Sequence, residues 1–275
     1  MTAVRRPRAA RRRPWQRCPR CPRGGGIALD LGSARTRAWV AGRGMVLDVP
    51  TVTFAGAGAV YPVRRGTIVD TQGTARMLDR LLGHRLPRFT RPLVVVTAPV
   101  LDGFAFRTAA RTAVEVLRPR SVLTVPSARA VALAAGADLS RPLLVTDIGA
   151  HLTEVVLLVD GAVFDARRTA LGTGDIDDAT PPARIAGAVA DMTTSMLRQD
   201  RTTLTVDALS RGPLLAGGGA LRPEILWHLT DSLHAPLRAV PAPHTAAVRG
   251  AATFLGAAHR HPPTAGADPP DTHPH

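Results

Sequence analysis

The sequence predicts a mixed α/β protein built as two related halves that face each other across a cleft. Three observations carry this. The segment Ile27-Ala28-Leu29-Asp30-Leu31-Gly32-Ser33-Ala34-Arg35-Thr36 is an apolar run ending in an aspartate, followed by glycine and small or polar residues. Leu143-Leu144-Val145-Thr146-Asp147-Ile148-Gly149-Ala150-His151-Leu152-Thr153 repeats that pattern 117 residues later. Leu214-Leu215-Ala216-Gly217-Gly218-Gly219-Ala220-Leu221 then adds a glycine turn after a third apolar run. Each aspartate segment reads as strand, tight turn, strand. Two copies with a later glycine turn suggest a nucleotide clamped between the halves.

The elements follow in order. Strands are expected at 26–31, 36–41, 45–49 and 51–55. A helix is expected at 71–83, where Ala75, Met77, Leu78, Leu81 and Leu82 recur on one face. Leu93–Ala98 is a continuous apolar run, the mark of a strand buried on both sides. A helix at 103–117, a strand at 121–125 and a helix at 127–136 complete the first half. The second half begins with strands at 142–147, 153–159 and 162–169, the last two joined by an Asp160-Gly161 turn. Helix 182–199, strand 213–216, helix 220–233, strand 237–240 and helix 244–258 follow. A three-stranded meander followed by β/α units thus occurs twice, with ligands expected at the strand ends. The expected domains are 26–141 plus 244–260, and 142–243. Residues 1–25 and 261–275, rich in Arg, Pro, Gly and His, are expected to be disordered tails.

Composition narrows the chemistry. Hydrophobic residues make up 45% of 275, and mean hydropathy is +0.06, enough for a sizeable core. No apolar run approaches the ~20 residues that span a bilayer, and no signal-peptide core is visible. A cytoplasmic protein is expected. All 35 basic residues are arginine, so a P-loop or kinase-type lysine is excluded. Nine arginines precede the first acid, Asp30, and without them the net charge of +14 falls to about +5. This arginine tail, with Trp15, fits an anionic membrane surface and a peripheral position at its inner face, or less well a nucleic acid. Cys18 and Cys21 form a single C-x-x-C in the tail with no further ligands nearby, which argues against zinc.

With these motifs in this order, the sequence resembles the actin-like ATPase superfamily, and within it the bacterial rod-shape-determining MreB/Mbl family. Ile27–Val40 is similar to the family's first phosphate loop and Asp147–Thr153 to its second, with Glu154 continuing the match. Pro62–Asp70 resembles its Pro-x-x-x-Gly-x-Ile-x-Asp segment. Val94–Pro99 resembles the strand ending in Val-Pro, Gly174–Asp177 the Gly-Asp-x-x-Asp stretch, and Leu215–Leu221 the adenosine glycine turn. The resemblance implies two ribonuclease-H-like domains of actin type with a nucleotide cleft. It also implies ATP and Mg²⁺ as cofactors, self-association, other cytoskeletal or cell-wall partners, and a role in cell shape or wall organisation.

The departures from the family pattern are specific. The chain is shorter than its relatives, and the outer subdomain of each half looks largely deleted. Relatives have Gly-Gly-Thr-Thr where this chain has Ala150-His151-Leu152-Thr153, so β-carbons are expected to crowd the phosphates. The family's water-positioning Glu falls at Phe106, and a phenyl ring cannot orient or deprotonate water. No catalytic residue is therefore assigned, and any ATPase activity is expected to be degenerate or very weak. The expected nucleotide contacts are Asp30, Gly32, Ser33, Ala34, Arg35, Asp147, Gly149, Ala150, His151, Gly217, Gly218 and Gly219. Asp30 and Asp147 are expected to hold Mg²⁺ through water. Taken singly, each aspartate is equally an ordinary turn former. Two alternatives stand beside the pseudo-ATPase scaffold: an active ATP-dependent filament-forming ATPase, and a sugar- or acetate-kinase-like phosphotransferase.

Overall fold

The computed structural model describes residues 25–55, 58–86, 91–101 and 103–260. The arginine tail, Cys18, Cys21 and the 261–275 tail lie outside the described residues. Two five-stranded sheets carry the fold. In the first, β1 (Gly26–Leu31), β2 (Arg35–Val40) and β3 (Gly44–Pro50) form an antiparallel meander. Strands β8 (Leu93–Ala98) and β9 (Ser121–Pro126) then join in parallel, giving the order β3-β2-β1-β8-β9. Two small hairpins intervene, β4 (Thr53–Ala55) with β5 (Gly58–Val60), and β6 (Val63–Arg64) with β7 (Thr67–Ile68).

The second sheet repeats the plan. Here β10 (Leu143–Ile148), β11 (Thr153–Val159) and β12 (Ala162–Thr169) form the meander. Strands β13 (Leu214–Ala216) and β14 (Arg238–Ala239) add in parallel, in the order β12-β11-β10-β13-β14. The actin-like architecture read from the motifs is therefore present in both sheets.

Helices cover all four faces. Leu78 of α1 (Thr71–Leu78) and Phe106, Ala110 and Ala113 of α2 (Gly103–Val114) pack with Ile27, Leu29, Val94 and Val96 on one face of the first sheet. Asp70 starts α1 by accepting from Gly73 N–H at 2.7 Å, an N-cap that a carboxylate suits. On the other face, α7 (Ala246–Arg260) brings Val248, Ala251 and Leu255 against Ala28, Leu93 and Val95. The second sheet is covered on one face by α4 (Pro182–Gln199), α5 (Leu204–Ser210) and α6 (Pro223–Leu233). Its other face packs on Ala128, Val131 and Ala132 of α3 (Ser127–Ala134).

The two sheets meet where α3 and α7 cross. A β-carbon on Gly250 would lie 1.7 Å from the Ala130 carbonyl oxygen, so only glycine lets these backbones come so close. That contact fixes the floor between the sheets, and the cleft opens above it at the C-terminal ends of β1, β8, β10 and β13. Among the described residues no helix is long and apolar enough to cross a membrane.

Candidate functional site

A cleft of about 270 Å³ lies between the sheets. Its walls include Asp30, Gly32, Ser33, Ala34 and Arg35 from the first hairpin, and Asp147, Gly149 and Ala150 from the second. Gly217 and Gly218 close one side, beside Pro243 and His244. Ten of the twelve sequence-predicted contacts therefore converge on one space. The other two do not line it. His151 Nδ1 sits 3.3 Å from Asp175 Oδ1. Gly219 packs on Ile148, where a β-carbon would come within 2.2 Å of the side chain.

The hairpins are built alike because both sequences place glycine two residues after the aspartate. Gly32 N–H donates to Arg35 O at 3.0 Å, and Gly149 N–H to Leu152 O at 2.9 Å. The aspartates then face different partners. Asp30 pairs in register with Arg37, whose Nη1 lies 3.3 Å from Asp30 Oδ2. Thr97 on β8 donates its hydroxyl to Asp30 Oδ1 at 2.9 Å. Asp147 pairs in register with Glu154. Its carboxylate receives no hydrogen bond among the described residues. Burial, the Asp30 charge and the Glu154 charge push its pKa up to about 7, against the pull of Arg37.

Glu154 is a buried acid at 4% exposure, in a strand whose other residues are mostly apolar. It reaches across to the first half and accepts from Val100 N–H at 3.0 Å and Leu101 N–H at 3.2 Å. Burial raises its pKa, against those two N–H groups and the Arg168 charge. A second bridge closes above the cleft. Arg65, at the β6–β7 turn, lies 2.8 Å from Asp175 with Nη2 and donates with Nη1 to the Ala170 carbonyl. The glycine turn is equally constrained. Gly217 has φ +80°, and a β-carbon there would lie 2.2 Å from Ile148 O and 2.5 Å from Asp147 Oδ1. Gly218 has open space instead, its nearest neighbour being Thr173 Oγ1 at 3.9 Å.

Among the described residues, α2 presents only Phe106 to the cleft wall. Phe106 is 2% exposed and belongs to the first core while also touching the cleft. Three contributors were not singled out from the sequence, Arg37, Thr97 and His244, and Glu154 was named only as continuing the second loop. A charged residue at an inward position of an apolar strand is the signal that marks Arg37 and Glu154. Thr97 and His244 carry no such signal, although His244 Nδ1 is buried without a partner at the cleft wall.

Comparison with known proteins follows the same outline. The MreB/Mbl protein family model matches residues 53–181. The cell shape-determining protein MreB of Escherichia coli strain K12 is 28% identical over 173 residues, 51% of this chain and 50% of that protein. MreB5 of Spiroplasma citri, crystallised with AMPPNP, superimposes with a TM-score of 0.77 at 17% identity, covering 86% of this chain and 97% of that one. The MamK double helical filament gives a TM-score of 0.72 at 13% identity, covering 84% and 98%.

The chain has an actin-like fold and is similar to the MreB/Mbl family over residues 53–181.

This MreB-like chain spans about half the length of the curated relatives it matches. Between β12 and α4 it carries only a short helical turn, Thr173–Asp175, and a bridge between Asp177 and Thr180. Asp30 is already ion-paired to a guanidinium, and Asp147 has its pKa raised to about 7 by burial and the neighbouring acids. Among the described residues no group of three or more His, Cys, Asp or Glu is placed to hold a metal ion. A divalent ion at Asp30 would face the Arg37 charge at close range, so these residues do not suit Mg²⁺.

Proposed function

We propose that this MreB-like chain binds a nucleotide in the cleft between its sheets, self-associates, and hydrolyses ATP slowly or not at all. Its role on this reading is that of a cytoplasmic scaffold in cell shape or wall organisation. The nucleotide reading is supported by the convergence of both hairpins and the glycine turn on one cleft. It is also supported by the AMPPNP-bound state of the similar S. citri MreB5. The E. coli relative's name supports the cell-shape role, and the MamK filament supports self-association.

One observation carries the loss of hydrolysis. Phe106 fills, with a buried ring, the position where the resemblance puts the water-positioning carboxylate. Losing a group that orients or deprotonates water costs about 10²–10⁴-fold in rate. Phe106→Glu would bury a charge in the core and is not expected to restore turnover.

Two measurements on the full chain test this together. Isothermal titration with ATP should show saturable binding. Phosphate release should run at least about 100-fold slower than from E. coli MreB assayed alongside. Release at a rate matching that relative would refute the scaffold reading and favour an active filament ATPase. Absence of binding by any nucleotide would refute the nucleotide reading itself.

A further inference from the structure

Arg37 is a cation at the cleft that the sequence reading did not name. It lies on β2 opposite Asp30, with its side chain 13% exposed and lining the cleft. Nη1 is 3.3 Å from Asp30 Oδ2, and Nε is 3.3 Å from Asp48 Oδ1. Nε is nevertheless buried with no hydrogen bond, and Nη2 makes none among the described residues. The acceptors around it are shared. Asp48 also takes Arg35 Nε at 2.5 Å, and Asp30 also takes the Thr97 hydroxyl. The Arg37 charge reaches across the cleft to Asp147 as well.

A guanidinium has five donors in a fixed planar fork, and a half-satisfied one in a cleft favours an incoming acceptor. Phosphate oxygens match that fork in charge and geometry. Arg35, two residues earlier on the same strand, is occupied by Asp48 through both its carboxylate and its carbonyl. Arg35, named among the expected nucleotide contacts, is therefore already engaged. Asp30 holds Arg37 in place from below and Thr97 holds Asp30, so the guanidinium is positioned before any ligand arrives.

We propose that Arg37 is the built-in cation of this cleft, holding the phosphate chain of the bound nucleotide in place of a divalent metal ion. This rests on the nucleotide reading above. Two consequences separate it from metal-assisted binding. Affinity should not depend on Mg²⁺, and it should depend on the guanidinium.

The test is isothermal titration of the full chain with ATP and with inorganic tripolyphosphate, each in EDTA and in excess Mg²⁺. Wild-type affinity for ATP should differ by less than about threefold between the two buffers. Tripolyphosphate should bind in EDTA, which marks the phosphate chain as the recognised part. Arg37→Leu should weaken ATP binding in EDTA by about tenfold or more, equal to 1.4 kcal/mol. Arg37→Lys keeps the charge, should retain the fold, and should fall between the two. It decides the matter if Arg37→Leu does not fold by circular dichroism. ATP binding in Mg²⁺ but not in EDTA would overturn the role of Arg37 while leaving the nucleotide reading intact. So would an Arg37→Lys or Arg37→Leu protein that binds like wild type in EDTA. Silence with ATP in both buffers would remove both.

Discussion

The hairpins β1–β2 and β10–β11 have the same turn, the same register and the same place at the cleft, but their aspartates are treated in opposite ways. Asp30 has Arg37 across the strand pair and, one strand over, the Thr97 hydroxyl. Asp147 has Glu154 across the pair and, one strand over, Ala216, which offers no donor. Leu29 pairs with Val96, so Asp30 and Thr97 follow side by side, just as Asp147 pairs with Ala216. One carboxylate is satisfied from both flanks and the other from neither. Both glycine turns close alike although the flanking side chains differ. The electrostatics of the site depend on two side chains per hairpin and diverge freely. An actin-like fold can thus stay intact while its ion chemistry changes.

The largest expected effect follows from Asp147. A folded pKa of about 7 against 3.8 for the free group means the folded state keeps a proton that the unfolded state has lost. Stability from this group is fully present below pH 3.8, falls as pH rises toward 7, and is flat beyond. At 1.36 kcal/mol per unit the loss is at most about 4 kcal/mol. Asp147→Asn should therefore be more stable than wild type at about pH 8 and nearly equal near pH 4. Asp30→Asn should instead lose about 1–3 kcal/mol at pH 7, because it weakens the pairing of a buried guanidinium. Urea unfolding of both variants across pH checks this. Effects of the same sign in the two hairpins would end the comparison.

A smaller effect separates the causes. Burial is the first cause of the raised Asp147 pKa, and Asp30 and Glu154 add to it. Glu154→Gln should move the pH window of Asp147 down without abolishing it. It should also cost about 1–3 kcal/mol, since the carboxylate no longer receives both the Val100 and Leu101 N–H groups. A window unchanged by this substitution would leave burial and Asp30 as the whole explanation.

The sequence carried most of the fold and less of the site. Strands β1, β10 and β11 were legible because apolar runs bounded by Asp-x-Gly turns leave few alternatives, and β8 because its apolar run is continuous. Helix α5 was missed: Thr202-Thr203-Leu204-Thr205-Val206 is β-branched, and its start depends on Asp200, which accepts from Thr205 N–H at 2.8 Å. The strand expected at 51–55 became the short β4, paired to β5 rather than to the main sheet. At the site, glycines and aspartates declared themselves by spacing. Arg35 was named as a nucleotide contact and Arg37, two residues on along the same strand, was not, although Arg37 is the one that pairs with Asp30. His151 was read as a phosphate contact, but its ring turns to Asp175. The Gly250 contact with Ala130 joins residues 120 positions apart and has no local signal.

The last test asks whether one hydroxyl accounts for part of the contrast. Thr97 is 3% exposed and donates to Asp30 at 2.9 Å, while Ala216, at the matching place in the second sheet, is 1% exposed. Thr97→Ala gives the first hairpin the same flank as the second. It should cost about 1 kcal/mol, the usual net value of one hydrogen bond, with a small loss for the cavity. Thr97→Ser restores the donor and should recover most of the loss, which a packing role for the methyl group alone would not allow. If Thr97→Ser is as unstable as Thr97→Ala, the hydroxyl is not what distinguishes the hairpins. Arg37 alone would then account for the difference between Asp30 and Asp147 on the first side of the cleft.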